Sequence, residues 1–270
     1  MSSETGTPIE IVAVGRELLT GRTVDSNSAW IAARLTDLGA SVTRIVAVDD
    51  EPSAIAPEVT SARQRGAVLV VTTGGLGPTA DDRTLAGVAA AFERPLVEHP
   101  GALAFVSRRY AELAAAHAVG GADLTPPRRK MACLPAGAEP IDNPVGTAPG
   151  VFVAAGAFAL VALPGVPAEM RAVFDVALPR IRARLGAAAY VAEREVVSGS
   201  GDESVITVAV ERTMAAVPGV YLKSLATAFA PDCDLRVRIT ARAPDAAEAE
   251  ARVARAADRL VAEIGRLKTV

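Results

Sequence analysis

The sequence predicts an α/β protein, a three-layer sandwich with a mostly parallel sheet, followed by a small α+β domain. Up to residue 185, short apolar runs rich in β-branched residues alternate with segments of helical periodicity. Strands this apolar are typical of parallel sheets covered by helices on both faces. After Gly186 the order changes to β-α-β-β-α. We therefore predict one domain over residues 8–185 and a second over residues 190–268.

The elements of the first domain follow from this alternation. Asp25 or Ser26 is placed to cap the first helix and Gly39 to end it, whereas Pro57 predicts that the second helix is irregular or starts late. Strands and helices are predicted in turn at 9–14, 25–38, 41–48, 52–64, 67–73 and 81–92, with a further helix at 101–117.

Residues 120–150 are rich in Gly and Pro and are predicted to form a long loop, a kind of segment that often carries function. Two strands and a helix then complete the first domain at 151–154, 159–163 and 168–185. The second domain is predicted from a strand, a helix, two strands and a helix at 191–198, 202–216, 219–224, 235–241 and 246–267.

Composition excludes several classes of protein. The chain has 270 residues, half of them hydrophobic, with a net charge of -3, which argues against a nucleic-acid-binding protein that works by charge alone. Cys133 and Cys233 form no paired motif, so we expect a protein of the reducing cytoplasm. The N-terminus does not resemble a signal peptide, and no apolar run is long enough to span a bilayer. The small domain offers a strand and a long helix for pairing, so a homo-oligomer is expected, with a dimer favoured.

The most informative segment runs from Thr73 to Thr84 as TGGLGPTADDRT, between a predicted strand and a predicted helix. Gly74, Gly75 and Gly77 let backbone amides approach a phosphate, and a helix N-terminus favours the same anion. Asp81 or Asp82 is expected to cap the helix, which leaves a carboxylate for a divalent metal. The alternative without a ligand is that this segment is a tight turn followed by a capping aspartate. The segment is neither a Walker A motif nor a dinucleotide fingerprint.

Further polar residues follow the other strands of the predicted sheet, whose carboxyl ends should meet at one edge and hold ligands there. Asp49 and Asp50 are candidate metal ligands, although acidic residues at a helix start are ordinary. The basic run that ends at Lys130 is placed to contact phosphate or to form a solvated loop. Asn143 and Thr147 supply uncharged hydrogen-bonding groups in a Gly/Pro-rich loop. We find no nucleophile elbow and no His-Glu-x-x-His motif.

Four segments together resemble the CinA-type competence/damage-inducible proteins, whose molybdopterin-binding-like domain is related to the MoaB/Mog proteins of molybdenum cofactor metabolism. They are VGRELLTGRTVDSN from Val14, the glycine segment, NPVGTAPG from Asn143 and LPGVPAEM from Leu163. The resemblance covers about residues 8–185, with a weaker match at Gly201-Asp202-Glu203-Ser204. Larger members add a nicotinamide-nucleotide deamidase domain, which we do not expect here because the sequence ends at Val270.

The resemblance implies metal-dependent hydrolysis of the pyrophosphate bond of ADP-ribose or a related nucleotide, with a divalent metal of unknown identity. Asp82 and Thr84 match the Asp-x-Thr of molybdopterin-binding relatives, while Asp81 stands where those relatives usually have Arg. The first alternative is a non-catalytic module that binds molybdopterin or a nucleotide, and the second is a regulatory or nucleic-acid-associated protein.

The candidate site residues fall into three groups. Asp81 and Asp82 are predicted as catalytic residues and, with Asp49 and Asp50, as metal ligands. Residues predicted to bind substrate phosphate are Gly74, Gly75, Gly77, Thr84, Gly146, Thr147 and Lys130. Residues predicted elsewhere in the pocket are Glu17, Asn27, Asn143, Pro164 and Gly165.

Overall fold

The computed structural model describes residues 6–186, 190–199, 203–225 and 235–268. The chain forms two compact units. The larger unit comprises residues 7–35 and 40–186, and the smaller one comprises residues 1–6, 36–39 and 187–270.

The larger unit contains eight strands and seven helices among its described residues. Its strands are β1 (Pro8–Val14), β2 (Ser41–Val48), β3 (Leu69–Thr73), β4 (Leu96–Glu98), β5 (Cys133–Pro135), β6 (Glu139–Ile141), β7 (Gly150–Ala155) and β8 (Phe158–Leu163). Its helices are α1 (Arg16–Leu19), α2 (Ser26–Asp37), α3 (Pro52–Gln64), α4 (Thr84–Ala91), α5 (Pro100–Ala115), α6 (Pro126–Lys130) and α7 (Pro167–Leu185).

A six-stranded sheet in the order β2-β1-β3-β8-β7-β6 lies at the centre of this unit. The four strands β2, β1, β3 and β8 are parallel, so their carboxyl ends lie at one edge. The last two strands, β7 and β6, are antiparallel to their neighbours. The predicted α/β class with a mostly parallel sheet is confirmed. The short strands β4 and β5 form a separate antiparallel pair.

Helices cover both faces of the central sheet. On one face, Val12 and Val70 belong to an apolar cluster that includes Ile55 of α3 and Val88 of α4. On the other face Ile31 of α2 is fully buried, and α2 and α7 meet through an edge contact between the rings of Trp30 and Phe174, 5.3 Å apart. This double coverage explains why β1 and β3 are buried at almost every position and are rich in apolar residues.

Helix α4 begins later than predicted. It starts at Thr84 with Arg83 at its N-cap, so the prediction that Asp81 or Asp82 caps the helix is wrong. Both carboxylates instead accept hydrogen bonds from Thr79 in the turn before the helix.

Two further expectations about elements differ from the structure. Helix α3 runs without delay from Pro52 through Pro57, because Pro52 at its first position supplies the helical φ and Pro57 removes only one N–H near its start. Residues 120–150 are not one long loop, since they contain α6, β5 and β6. Elements of three to five residues are too short for periodicity to reveal.

The smaller unit contains β9 (Tyr190–Val197), α8 (Glu203–Ala216), β10 (Val220–Leu225), β11 (Arg236–Ala243) and α9 (Ala246–Lys268). Its strands form an antiparallel sheet in the order β10-β11-β9, and residues of the sheet and of both helices form one apolar core. The predicted small α+β domain is confirmed. Cys233, Gly201 and Asp202 lie outside the described residues. None of the helices in the described ranges has the length and apolar character required to span a membrane.

Candidate functional site

A cleft of about 470 Å³ lies at the carboxyl edge of the parallel strands in the larger unit. Loops after β1, β2, β3 and β8 all contribute to its wall, through residues such as Glu17, Asp50, Gly75 and Gly165. In an open α/β sheet this edge is the usual place for a ligand, because loops from several strands converge there. The volume is in the range of small-molecule sites.

The loop after β3 forms the floor of the cleft. Gly74 has a φ of +101°, and a Cβ at this position would lie 2.1 Å from the carbonyl oxygen of Val14, so only glycine fits. The Gly74 amide donates to the Leu163 carbonyl at 3.0 Å. Within the described part of the chain, the amides of Gly75, Leu76 and Gly77 have no acceptor. All three residues line the cleft, and consecutive unpaired amides are the kind of backbone group that binds anions.

Thr84 supports this loop from beneath. Its side chain is fully buried and Oγ1 donates to the Gly74 carbonyl at 2.8 Å, while its amide donates to the Gly75 carbonyl at 3.2 Å. Thr84 therefore fixes the shape of the glycine loop, and it is not among the residues that line the cleft.

Asp81 and Asp82 line the cleft beside the glycine loop. Thr79 Oγ1 lies 2.5 Å from an oxygen of each carboxylate, and the Thr79 amide donates to Asp82 Oδ2 at 2.9 Å. The hydrogen bond from Thr79 holds the pKa of Asp81 below its usual range. A hydroxyl has one proton, so it can donate to only one of these carboxylates at a time. When the hydroxyl donates to Asp81, Asp82 Oδ2 still accepts from the Thr79 amide.

Lys130 lies behind the glycine loop. Its Nζ donates to the carbonyl of Thr79 and, at 3.5 Å, to that of Gly77. Burial lowers the pKa of its ammonium group, although Asp82 and Asp81 oppose this shift. Lys130 is not among the residues that line the cleft, so in this structure it supports the loop.

Asp50 brings a further carboxylate from the loop after β2. Its Oδ2 accepts from the Arg16 amide at 2.9 Å. Burial raises the pKa of Asp50, and the nearby charges of Glu17 and Asp49 act in the same direction. Glu17 and Asp50 line the cleft, whereas Asp49 accepts from the Asp50 amide at 2.8 Å and lies outside the lining.

Asn27 joins the loops on either side of the floor. Its Nδ2 donates to Thr73 Oγ1 at 3.0 Å and to the Gly165 carbonyl at 2.8 Å. Thr73 Oγ1 in turn donates to the Pro164 carbonyl at 3.0 Å. The start of α2, the end of β3 and the loop after β8 are thereby held together, and Asn27, Pro164 and Gly165 all line the cleft.

The loop of residues 143–148 forms another wall and is held almost entirely by side chains. Asn143 is 1% exposed, and its Oδ1 accepts from the amides of Val145 and Gly146 at 3.1 and 2.8 Å. Its Nδ2 donates to the Ala148 carbonyl and to Glu169 Oε2, each at 2.8 Å. Asn143 and Gly146 thus shape the loop, while Thr147 lines the cleft.

Sequence reasoning missed two residues at this wall. Arg109 of α5 donates to the carbonyls of Val145 and Gly146, each at 2.9 Å, and Glu169 of α7 lines the cleft. Glu169 lies within the LPGVPAEM segment, so its position in that motif was an available signal. Arg109 is one of several arginines on a long helix, and no local pattern in the sequence distinguishes it.

Comparison with known proteins assigns the larger unit. Residues 10–183 match the family model described as the probable molybdopterin binding domain. The chain belongs to this family. A protein of Aeropyrum pernix is 43% identical over 259 residues, covering 94% of each chain, and a protein of Pyrobaculum aerophilum is 42% identical, covering 96% of this chain and 94% of the relative.

A solved structure supports the same assignment. The protein CinA of Thermoplasma acidophilum, described as having unknown function, is 40% identical. The match has a TM-score of 0.59 and covers 66% of this chain and 99% of that chain. The resemblance to CinA-type proteins inferred from the sequence motifs is confirmed.

The cleft of this molybdopterin-binding-type domain is strongly acidic. Six carboxylates line it and no Lys or Arg is among its described lining residues. The six are Glu17, Asp25, Asp50, Asp81, Asp82 and Glu169. Asp25 caps α2 by accepting from the Ser28 amide at 2.9 Å. Because no described lining residue is positively charged, the backbone amides of the glycine loop are the groups of this lining that suit an anion.

The predicted site residues thus separate by position. Those that line the cleft are Glu17, Asn27, Asp50, Gly74, Gly75, Gly77, Asp81, Asp82, Thr147, Pro164 and Gly165. Those that lie behind its lining are Asp49, Thr84, Lys130, Asn143 and Gly146. Among the described residues, no group of three or more His, Cys, Asp or Glu side chains is arranged to hold a metal ion.

Proposed function

We propose that the cleft binds a small phosphorylated ligand of the molybdopterin type, with its phosphate on the glycine loop. The observation that carries this proposal is the run of three acceptor-free amides at Gly75, Leu76 and Gly77 on the cleft floor. Backbone amides in such a turn bind phosphate oxygens without requiring a basic side chain. Membership of the probable molybdopterin binding domain family supports the same class of ligand.

The acidic walls also suit a pterin. A pterin ring carries an amino group and a ring N–H, and these donors pair well with carboxylate oxygens. Glu17 of α1, Asp50 after β2 and Glu169 of α7 line the cleft, where their carboxylates are available to such donors. The ligand class therefore combines an anionic end, held by amides, with a donor-rich ring held by carboxylates.

Titration calorimetry with molybdopterin and with ADP-ribose, each with and without Mg²⁺, tests this proposal. Gly75→Ala should weaken binding at least tenfold, because a Cβ there would lie 2.2 Å from Thr84 Oγ1 and would deform the loop.

Gly156→Ala is the matched control for this substitution. Gly156 also has a positive φ, +61° against +66° for Gly75, but nothing lies within 4 Å of its added Cβ, and it does not line the cleft. Unchanged affinity in Gly75→Ala, or equal loss in both variants, contradicts a phosphate site on this loop.

A second candidate function, hydrolysis of a pyrophosphate bond, is favoured by the pair Asp81 and Asp82. In the described part of the chain Asp82 accepts hydrogen bonds through Oδ2 alone, so its Oδ1 is available to a cation. Mg²⁺ is usually bound by one or two carboxylates together with substrate phosphates rather than by a complete protein cage. Two adjacent carboxylates next to a phosphate-binding floor fit that requirement.

Under the hypothesis of pyrophosphate hydrolysis, each of these residues has a defined role. The glycine loop would hold the phosphates, Asp81 and Asp82 would hold the metal, and Thr79 keeps the two carboxylates together. The metal, when bound, supplies charge neutralisation and acidifies water. Thr84 and Lys130 keep the loop in shape from behind.

The test is incubation with ADP-ribose and a series of divalent metals, with AMP and ribose phosphate measured as products. Asp82→Asn should reduce turnover at least a hundredfold, since the amide does not replace a charged ligand. Asp142→Asn is the control, because Asp142 is 73% exposed and does not line the cleft. Binding without turnover under every metal would leave the protein as a binding module and remove hydrolysis.

A further inference from the structure

Glu169 makes an unusual hydrogen bond for an acidic residue in the first turn of a helix. It is the third residue of α7, whose N-cap is Val166. A glutamate at that position often folds back to accept from the N-cap amide. Within the described residues Glu169 accepts no such bond. Its Oε2 accepts instead from Asn143 Nδ2 at 2.8 Å, and the residue lines the cleft.

The surroundings of Glu169 fix its carboxylate in this position. Asn143 is 1% exposed and makes four hydrogen bonds, so it cannot turn without breaking the 143–148 loop. On the other side, a Cβ on Gly146 would lie 1.7 Å from Glu169 Oε2, so glycine is required there for the carboxylate to fit.

The other oxygen of this carboxylate is open to a ligand. Across the ranges that the structure describes, Oε1 of Glu169 has no hydrogen-bond donor, and no Lys or Arg lies within ion-pair distance of the side chain. Asp25, Asp50 and Asp82 accept from backbone amides and Asp81 from an exposed hydroxyl, whereas the donor to Glu169 is a side chain that is 1% exposed. Glu169 is therefore a preorganised acceptor that the protein itself leaves half used.

We propose that Glu169 is a specificity-determining residue that accepts hydrogen bonds from an O–H or N–H donor of the ligand, and that Asn143 is its positioning residue. This inference rests on the proposed function, since it concerns the same cleft. Both ligand types present such donors: a nucleotide through its ribose diol, and a pterin through its amino-pyrimidinone edge. Carboxylates recognise ribose hydroxyls in this way in other nucleotide sites.

The experiment compares Glu169→Gln with the unmodified protein, using AMP, 2′,3′-dideoxy-AMP, 6-hydroxymethylpterin and inorganic pyrophosphate as probes, each with Mg²⁺. Loss of the charged acceptor should weaken AMP or the pterin about tenfold, in line with a hydrogen bond to a charged group. Pyrophosphate has no such donor and should bind equally well or more tightly, because one negative charge is removed from the cleft. Only the donor-bearing probes should therefore lose affinity.

Two controls separate recognition from structure. Asp175→Asn removes one charge from the same helix, at a site 61% exposed and outside the cleft, and should leave all affinities unchanged. Asn143→Ser should reproduce the loss for the donor-bearing probe, since the carboxylate then loses its fixed position. A merely structural role for Glu169 would instead weaken pyrophosphate as well.

The outcomes are distinct. An AMP loss that is absent with the dideoxy analogue assigns the donor to the ribose, whereas a loss for the pterin alone assigns it to the ring. If Glu169→Gln changes the affinity for pyrophosphate in the same direction as that for the donor-bearing probes, or changes neither, the role of Glu169 is overturned and the proposed function stays intact. No binding of any probe by the unmodified protein overturns the proposed function and this inference with it.

Discussion

Individual polar side chains in the cleft divide into those that contact the open space and those that support them. Thr84 and Asn143, at 0% and 1% exposure, belong to the second kind. The sequence assigned both to the site from their motifs, and neither is among the residues that line the cleft. Their bonding partners were not predictable, because the Thr84 hydroxyl bonds to a carbonyl ten residues away and Asn143 to a carboxylate 26 residues away.

Asp50 provides a prediction at this scale. Burial raises its pKa in the folded protein above the unfolded value of 3.8, so the folded state binds the proton more tightly. Its ionised form therefore reduces stability above the folded pKa, and this cost disappears as the pH falls below 3.8. Asp50→Asn should raise the melting temperature at pH 7. The gain in the free energy of unfolding should be less than about 1 kcal/mol, because solvent screens the group.

Thermal unfolding of Asp50→Asn at pH 7 and at pH 3.5 checks this sign. The gain should shrink at the lower pH, because protonation of Asp50 removes the cost of burying its charge. Asp142→Asn, in an exposed position, serves as the comparison. A variant that is less stable at pH 7, or whose advantage grows on acidification, contradicts the account.

At the scale of elements, most helices and strands follow the periodicity of the sequence, and the departures have local causes. Helix α4 starts at Thr84 because the residues before it form a turn around Thr79. In the smaller unit, α9 is the most strongly amphipathic of the long helices, yet it buries an acidic residue. Glu263 is 1% exposed and pairs with Arg259, Arg266 and Arg212 at 2.7, 2.9 and 3.5 Å.

Glu263→Gln should destabilise the protein by roughly 2 kcal/mol, since the buried group loses the charge that its arginine partners compensate. Urea unfolding followed by circular dichroism measures the change. Arg212→Gln is the matched comparison, because that side chain is 55% exposed and its removal leaves two arginines on the carboxylate, so its cost should stay below about 1 kcal/mol. Equal losses of stability for the two variants would show that the burial of Glu263 does not determine the free energy of unfolding that is lost.

At the scale of the whole molecule, the order β2-β1-β3-β8 decides which loops share the cleft. Strand β8 lies beside β3 although about 85 residues separate them in sequence, and this pairing brings Gly165 to the glycine loop. A Cβ at Gly165 would lie 3.3 Å from the Gly74 Cα, which shows how closely the loops pack. Self-association remains a prediction that sedimentation equilibrium would test.

The sequence by itself determined the two kinds of domain, the parallel sheet, most element positions and the glycine loop with its two aspartates. These features depend on periodicity and on local chemistry, which short stretches of sequence carry. Only the tertiary structure decided that Asp49, Thr84 and Lys130 lie behind the cleft lining, that Glu169 faces the cleft, and that six carboxylates surround a floor of free amides among the described residues. Such relations depend on strand order and on side-chain contacts between distant segments, and no local pattern encodes them.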